Sequence, residues 1–131
     1  DLVFDTIELN RGVRSDTLSC SIFVPFHGTE LRERAVRAGF IHPDVICPSN
    51  SDDSVLEMPP PYLSPAELKS LKRVFAMYVK FPKERWPEIR RAEEFTLEGD
   101  RVWENLREEY IRTFFVSPDG DIEKINATAS V

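Results

Sequence analysis

Cysteine is scarce in this chain of 131 residues: there are two, Cys20 and Cys47, far apart. That count excludes a secreted disulfide framework, and a reducing cytoplasm is the expected compartment. Histidine is equally rare, with only His27 and His42, and no Cys-x2-Cys or His-x3-His spacing occurs, so a metal centre has little to draw on. Five glycines leave little backbone to wrap a phosphate, and no glycine-rich phosphate loop is present. No apolar run approaches the roughly 18 residues of a membrane span. Positive charge is in deficit, with 17 Lys and Arg against 23 Asp and Glu and a net charge of -6. A nucleic-acid backbone or an anionic membrane is therefore not an expected partner. No secretory leader pattern opens the chain. It begins Asp1-Leu2-Val3 without an initiator Met, and the expectation is a piece of a longer polypeptide.

What is present centres on Ser19-Cys20-Ser21-Ile22-Phe23-Val24-Pro25-Phe26-His27-Gly28-Thr29-Glu30-Leu31. The run Ile22, Phe23, Val24 is short and bounded, as in a strand. Pro25 cannot donate to a ladder and should end it. Gly28 permits a conformation closed to other residues, and Thr29 is placed to cap a helix starting at Glu30. Before this stretch, residues 1–11 read as a helix with Val3, Phe4, Ile7 and Asn10 inward and Asp5, Glu8 and Arg11 outward, closed by Gly12. Residues 17–24 alternate polar Thr17, Ser19, Ser21 with apolar Leu18, Cys20, Ile22, as expected of a strand. Residues 30–38 form the next helix, capped by Gly39. Helix–strand–helix is the grammar of a parallel α/β fold. A lone strand needs neighbours, either in sequence outside this chain or in a second copy.

Residues 40–63 break the pattern, with a short extended segment near Val45-Ile46-Cys47, a polar loop at 49–54, and Pro59-Pro60-Pro61, expected as a stiff polyproline connector. Ser64-Pro65-Ala66-Glu67 is a strong helix start: Ser at the N-cap, Pro at the first helical position, Glu completing a capping box. Leu68, Leu71, Phe75 and Tyr78 follow at helical spacing, and Pro82 stops the helix near Phe81. Residues 84–94 suggest a shorter helix interrupted near Pro87, anchored by Trp86 and Ile89. Its Arg85, Arg90 and Arg91 point outward, balanced by Glu84, Glu88, Glu93 and Glu94, a solvated face and not a phosphate patch. Residues 97–114 make the last helix, capped by Thr96 or Asp100. A small hairpin of residues 113–116 with 121–125 and a frayed tail complete the reading.

No complete active site emerges. Cys20 lies mid-strand, where a buried thiol is usually inert. The pairs Asp52-Asp53 and Glu93-Glu94 are adjacent in sequence and do not face each other. No catalytic and no metal-ligating residue is assigned. Asn126-Ala127-Thr128 matches a glycosylation sequon, which carries no weight in a cytoplasmic chain.

Asp5-Thr6-Ile7-Glu8-Leu9-Asn10, the run Ile22 to Leu31, Ala38-Gly39-Phe40-Ile41, Ser54-Val55-Leu56-Glu57-Met58-Pro59 and Leu63-Ser64-Pro65-Ala66-Glu67-Leu68 together resemble the C-terminal part of radical S-adenosylmethionine (SAM) enzymes. The resemblance is to the subgroup with a cobalamin-binding domain that includes magnesium-protoporphyrin monomethyl ester cyclases, and it covers residues 1–115. Those proteins carry a Phe/Tyr-x-Pro-x-Pro-Gly-Thr-x-Leu loop, and His27 stands where the second proline is usual. The resemblance implies an α/β fragment, predominantly helical: residues 1–48 as the last helix–strand–helix unit of a partial six-stranded barrel, residues 49–131 as a C-terminal helical extension. It implies that Phe23, Val24, Pro25 and Phe26 line an adenine pocket in the parent, with Thr29 capping the loop. The parent would use SAM, a 4Fe-4S cluster and, in part of the subgroup, cobalamin. The Cys-x3-Cys-x2-Cys motif that holds the cluster is absent here, so no cofactor is expected in this chain itself. The expected partners are the rest of the parent enzyme and, through the unpaired strand, a second copy. The alternative reading is a non-catalytic helical interaction or dimerisation module.

Overall fold

The computed structural model describes residues 2–15, 17–48 and 53–115. It contains five α-helices: α1 (Leu2–Arg11), α2 (Glu30–Arg37), α3 (Pro65–Lys80), α4 (Trp86–Ala92) and α5 (Leu97–Phe114), with a 3-10 turn at Lys83–Arg85 before α4. The described residues contain no β-strand. This corrects the α/β expectation: there is no helix–strand–helix unit and no barrel end. Residues 17–24 do run without helix, and their exposure alternates, Leu18, Cys20, Ile22 and Val24 half-buried between exposed Thr17, Ser19, Ser21 and Phe23. The side chains follow a strand's period of two. A strand also requires a laterally bonded neighbour, and among the described residues the main chain of 17–23 finds no hydrogen-bond partner. The period is local and legible; the ladder is not formed. The hairpin, the sequon and the tail lie outside the described residues, except that residues 113 and 114 belong to α5.

The chain forms two compact units, Asp1–Ser19 with Ala76–Val131, and Cys20–Phe75. The division falls inside α3.

In the first unit Ile7, Tyr78, Ile89, Ala92 and Leu106 are buried, and Phe81 and Tyr110 nearly so. Phe4, Tyr78 and Trp86 meet edge-on or tilted, with centroids 5.3 to 5.7 Å apart. Such pairs each add about 0.5–1.5 kcal/mol beyond area burial. Arg11, expected outward, turns in and donates to the carbonyls of Tyr78, Val79 and Phe81 at 2.6 to 3.1 Å. These are orphan acceptors at the end of α3, and a cation is favoured there. Pro87 does not interrupt α4; it occupies the first turn, where its missing N–H costs nothing. Arg85 forks onto both oxygens of Glu109 at 2.9 and 3.1 Å and also donates to Glu88, joining the start of α4 to α5. The pairing holds the Glu109 carboxyl below its ordinary pKa. Thr96, not Asp100, caps α5, accepting from the Gly99 N–H at 3.0 Å.

In the second unit Pro25, Arg32, Ala35, Ile41, Leu71, Val74 and Phe75 are buried. The capping box forms: Ser64 Oγ accepts from the Glu67 N–H, and the Glu67 carboxylate accepts from the Ser64 N–H at 2.8 Å. The Ser64 N–H, and then the Ser64 hydroxyl at 2.7 Å, donate to the Glu67 carboxylate and lower its pKa. The proline run makes a turn, closed by the Tyr62 N–H to the Pro59 carbonyl at 3.1 Å, in place of the extended connector expected.

Candidate functional site

The loop from Pro25 to Thr29 is shaped by its own residues. Gly28 sits at φ 80°, in the left-handed region. The Thr29 N–H donates to the Phe26 carbonyl at 3.3 Å and the Thr29 hydroxyl donates to the same oxygen at 2.7 Å. Thr29 Oγ1 also accepts from the Arg32 N–H, which starts α2. The helix closes eight residues later through Gly39, at φ 73°: the Phe40 N–H reaches the Ala35 carbonyl and the Gly39 N–H the Val36 carbonyl, a Schellman arrangement.

Arg32 is the organising side chain. It is 5% exposed, and its guanidinium donates to the carbonyls of Pro25 (3.1 Å), Pro43 (3.0 Å) and Val45 (2.6 Å) and to Cys47 Sγ (3.2 Å). The Cys47 thiol donates in turn to the Pro25 carbonyl at 3.2 Å. One buried cation thus ties the end of the extended segment to the return loop. Its charge is met by carbonyl dipoles and a thiol, and no carboxylate joins it. The donors of its two terminal nitrogens are committed to the protein, and that makes it a structural clamp more than a ligand-binding group.

Beside the clamp lies a shallow, open groove of about 430 Å³, lined by His27, Gly28, Arg32, Glu33, Val36, Arg37 and Pro43. None of the five residues assigned by resemblance lines it. Pro25 is buried, Val24 half-buried and Thr29 exposed, its hydroxyl spent on the loop. Phe23 and Phe26 are 50% and 46% exposed, the two of the set with surface to offer a ligand.

The thiols do not make a reactive centre. Burial pushes the Cys20 thiol pKa up, against a smaller opposing pull from Lys72, which keeps it protonated and weakly nucleophilic. His42 Nδ1 accepts from the Asp44 N–H at 3.3 Å and lies 3.6 Å from its carboxylate, a solvated loop contact. Among the described residues no three His, Cys, Asp or Glu side chains gather as a metal site. An iron–sulfur cluster does not fit the residues present.

A second groove, of about 500 Å³, lies in the other unit between Lys83, Trp86, Pro87, Arg90, Arg91 and Glu94. Its cations are partly neutralised, Lys83 by Glu8 at 2.5 Å and Arg91 by Glu98, partners other than the Glu84, Glu88, Glu93 and Glu94 expected from the sequence. The Trp86 ring lies under Arg11 and Lys83, and its indole N–H finds no acceptor among the described residues.

Sequence reasoning missed both arginine clamps. A signal for Arg32 was available: an arginine one turn into a helix whose N-cap follows a proline–glycine loop lies close to the loop's carbonyls. No sequence signal marks Arg11, whose acceptors lie some 70 positions away. Comparison with protein-family models, with curated proteins and with solved structures gave no significant match. No helix among the described residues is long and apolar enough to cross a membrane.

Proposed function

We propose that this chain is the catalytically silent C-terminal portion of a cytoplasmic radical SAM enzyme, whose parent carries the cluster-binding cysteines. The observation that carries this reading is the loop at residues 23–31. The Gly-Thr pair of the family-like motif stands where a left-handed glycine and a helix cap are needed, and Gly28 and Thr29 fill those two jobs. Phe23 and Phe26 remain exposed beside it, an aromatic surface suited to an adenine in the intact parent. Cys20 is half-buried with its thiol held protonated, and Cys47 is bonded into the clamp, so neither is offered here as a cluster ligand.

The test is complementation. A radical SAM polypeptide that carries Cys-x3-Cys-x2-Cys but lacks a counterpart of residues 1–115 is reconstituted with iron and sulfide. It is then given SAM and dithionite, with and without this chain. Release of 5'-deoxyadenosine should rise by about tenfold or more with the chain present, a change of about 1.4 kcal/mol in the barrier. Equal release in the two arms sinks the reading, and so does a four-iron visible spectrum from this chain alone. The second reading is a non-catalytic helical interaction module. It is favoured by the absence of any complete site among the described residues, and unchanged release would turn attention to it.

A further inference from the structure

The open groove of about 430 Å³ beside the Arg32 clamp holds donors that the fold leaves unspent. Arg32 lines it and is 5% exposed. Its two terminal nitrogens are spent on Pro25, Pro43, Val45 and Cys47. Its Nε–H finds no acceptor among the described residues, yet it is not sealed from the surface. No carboxylate meets the guanidinium charge, so a buried cation borders the groove without a counter-ion. His27 and Gly28 also line the groove, and neither backbone N–H is bonded among the described residues. Arg37 adds a second cation. Glu33 and Arg37 stand four apart in the order that favours an ion pair, as Glu30 and Arg34 do. The Glu30–Arg34 pair forms at 2.7 Å. Glu33 and Arg37, both exposed and both on the groove, pair neither with each other nor with any other described residue. A helical side chain leans toward the N-terminus of its helix, which for Arg37 is the end where Gly28 lies.

We propose that this groove binds a phosphate-class oxyanion, either free or as the phosphoryl group of a small monoester. The anion supplies the counter-charge that Arg32 and Arg37 lack. It accepts from the Arg32 Nε–H and from the His27 and Gly28 N–H groups, donors that no contact of the fold uses. Donors set in several directions suit the several oxygens of a phosphate better than the two of a carboxylate. Val36 and Pro43 give the groove an apolar part for the organic portion of an ester. Glu33 is the one carboxylate on the groove; it opposes the anion and limits its affinity. The site uses none of the five residues assigned to adenine, and it stands without the radical SAM reading.

The test is a nitrogen–proton NMR titration of the chain with inorganic phosphate and, separately, with phenyl phosphate, the ionic strength held constant with sodium chloride. The Arg32 Nε–H and Gly28 amide resonances should shift and saturate, with half-saturation on the order of 1 mM. Arg37→Ala should weaken binding by about tenfold, the loss of a charged donor. Glu33→Gln removes the opposing charge and should tighten binding by about threefold. Arg34→Ala takes the same charge from the same helix outside the groove and should change binding by less than about twofold. If Arg37→Ala loses helical circular dichroism, Glu33→Gln decides, and binding that it leaves unchanged or weakens overturns the proposal. Tighter binding of phenyl phosphate than of inorganic phosphate assigns the site to a monoester; equal or weaker binding assigns it to the free ion. Shifts that grow without saturating up to about 50 mM overturn the proposal. So does a loss in Arg34→Ala equal to that in Arg37→Ala, which would reduce the effect to general charge attraction.

Discussion

At the scale of single residues, the chain depends on polar side chains that serve its backbone. Arg32→Ala would take a charged donor from three carbonyls, of which Pro25's keeps the Cys47 thiol and those of Pro43 and Val45 are part-buried, at a combined cost of about 3 kcal/mol. Arg34→Ala on the same helix breaks an exposed pair with Glu30 and should stay within about 0.5 kcal/mol. Urea unfolding of the two variants separates them, and equal midpoints would remove Arg32 from its organising role. Tyr78 makes a second residue-scale prediction. Burial first, and then its hydrogen bond to Glu93, raise the phenol pKa above the ordinary value of about 10. The unfolded chain therefore ionises first, so stability present below about pH 10 is lost as pH rises from there toward the higher folded value. Tyr78→Phe should cost about 1 kcal/mol at neutral pH and flatten part of that alkaline loss, leaving the share of Tyr110, whose pKa burial also raises. Denaturant midpoints measured at neutral pH and above about pH 10 check both statements. The sequence showed that Tyr78 belongs to a buried stripe but could not show its Glu93 partner, which depends on how the helices meet.

At the scale of elements, helices were the legible part. Ser64, Pro65 and Glu67 announced α3, Thr29 announced α2, and Pro82 marked where α3 must stop, because caps and prolines act within a turn of themselves. The element that failed was the strand, since a ladder is a property of two segments and the period of one cannot supply the other. Gly99 shows a further limit. It lies in the first turn of α5 and is buried, and a Cβ there would stand 2.0 Å from the Glu94 carbonyl oxygen and 3.0 Å from that of Arg91. Both are backbone atoms, Arg91 in the last turn of α4 and Glu94 in the link that follows it, so relief requires the backbone to shift. Helix propensity alone would have Gly99→Ala stabilise α5 by up to about 1 kcal/mol. The close approach reverses the sign, and the variant should lose about 2–4 kcal/mol, read as a fall in melting temperature of several degrees or more. An unchanged or raised melting temperature would show that α4 and α5 are not that close in solution.

At the scale of the whole molecule, each unit rests on different physics. The one built from Asp1–Ser19 and Ala76–Val131 has an aromatic and aliphatic core. The one from Cys20–Phe75 leans on a buried arginine and a few apolar side chains, with much of its path non-helical. Composition located the change from loop to helix near residue 64, but it could not show that Arg11 returns to the end of α3, because that bond joins positions distant in sequence. The unbonded main chain gives a prediction that covers the entire chain in one experiment. Amide exchange follows the free energy of opening each hydrogen bond, and an amide with no bond has nothing to open. Amides of residues 20–23 should exchange near their intrinsic rates. Amides in the middle of α3 and α5 should be slower by about a thousandfold or more, the protection that a global stability of about 5 kcal/mol allows. Protection of residues 20–23 comparable to that of α5 would mean that their main chain is bonded in solution, against the unbonded path seen here.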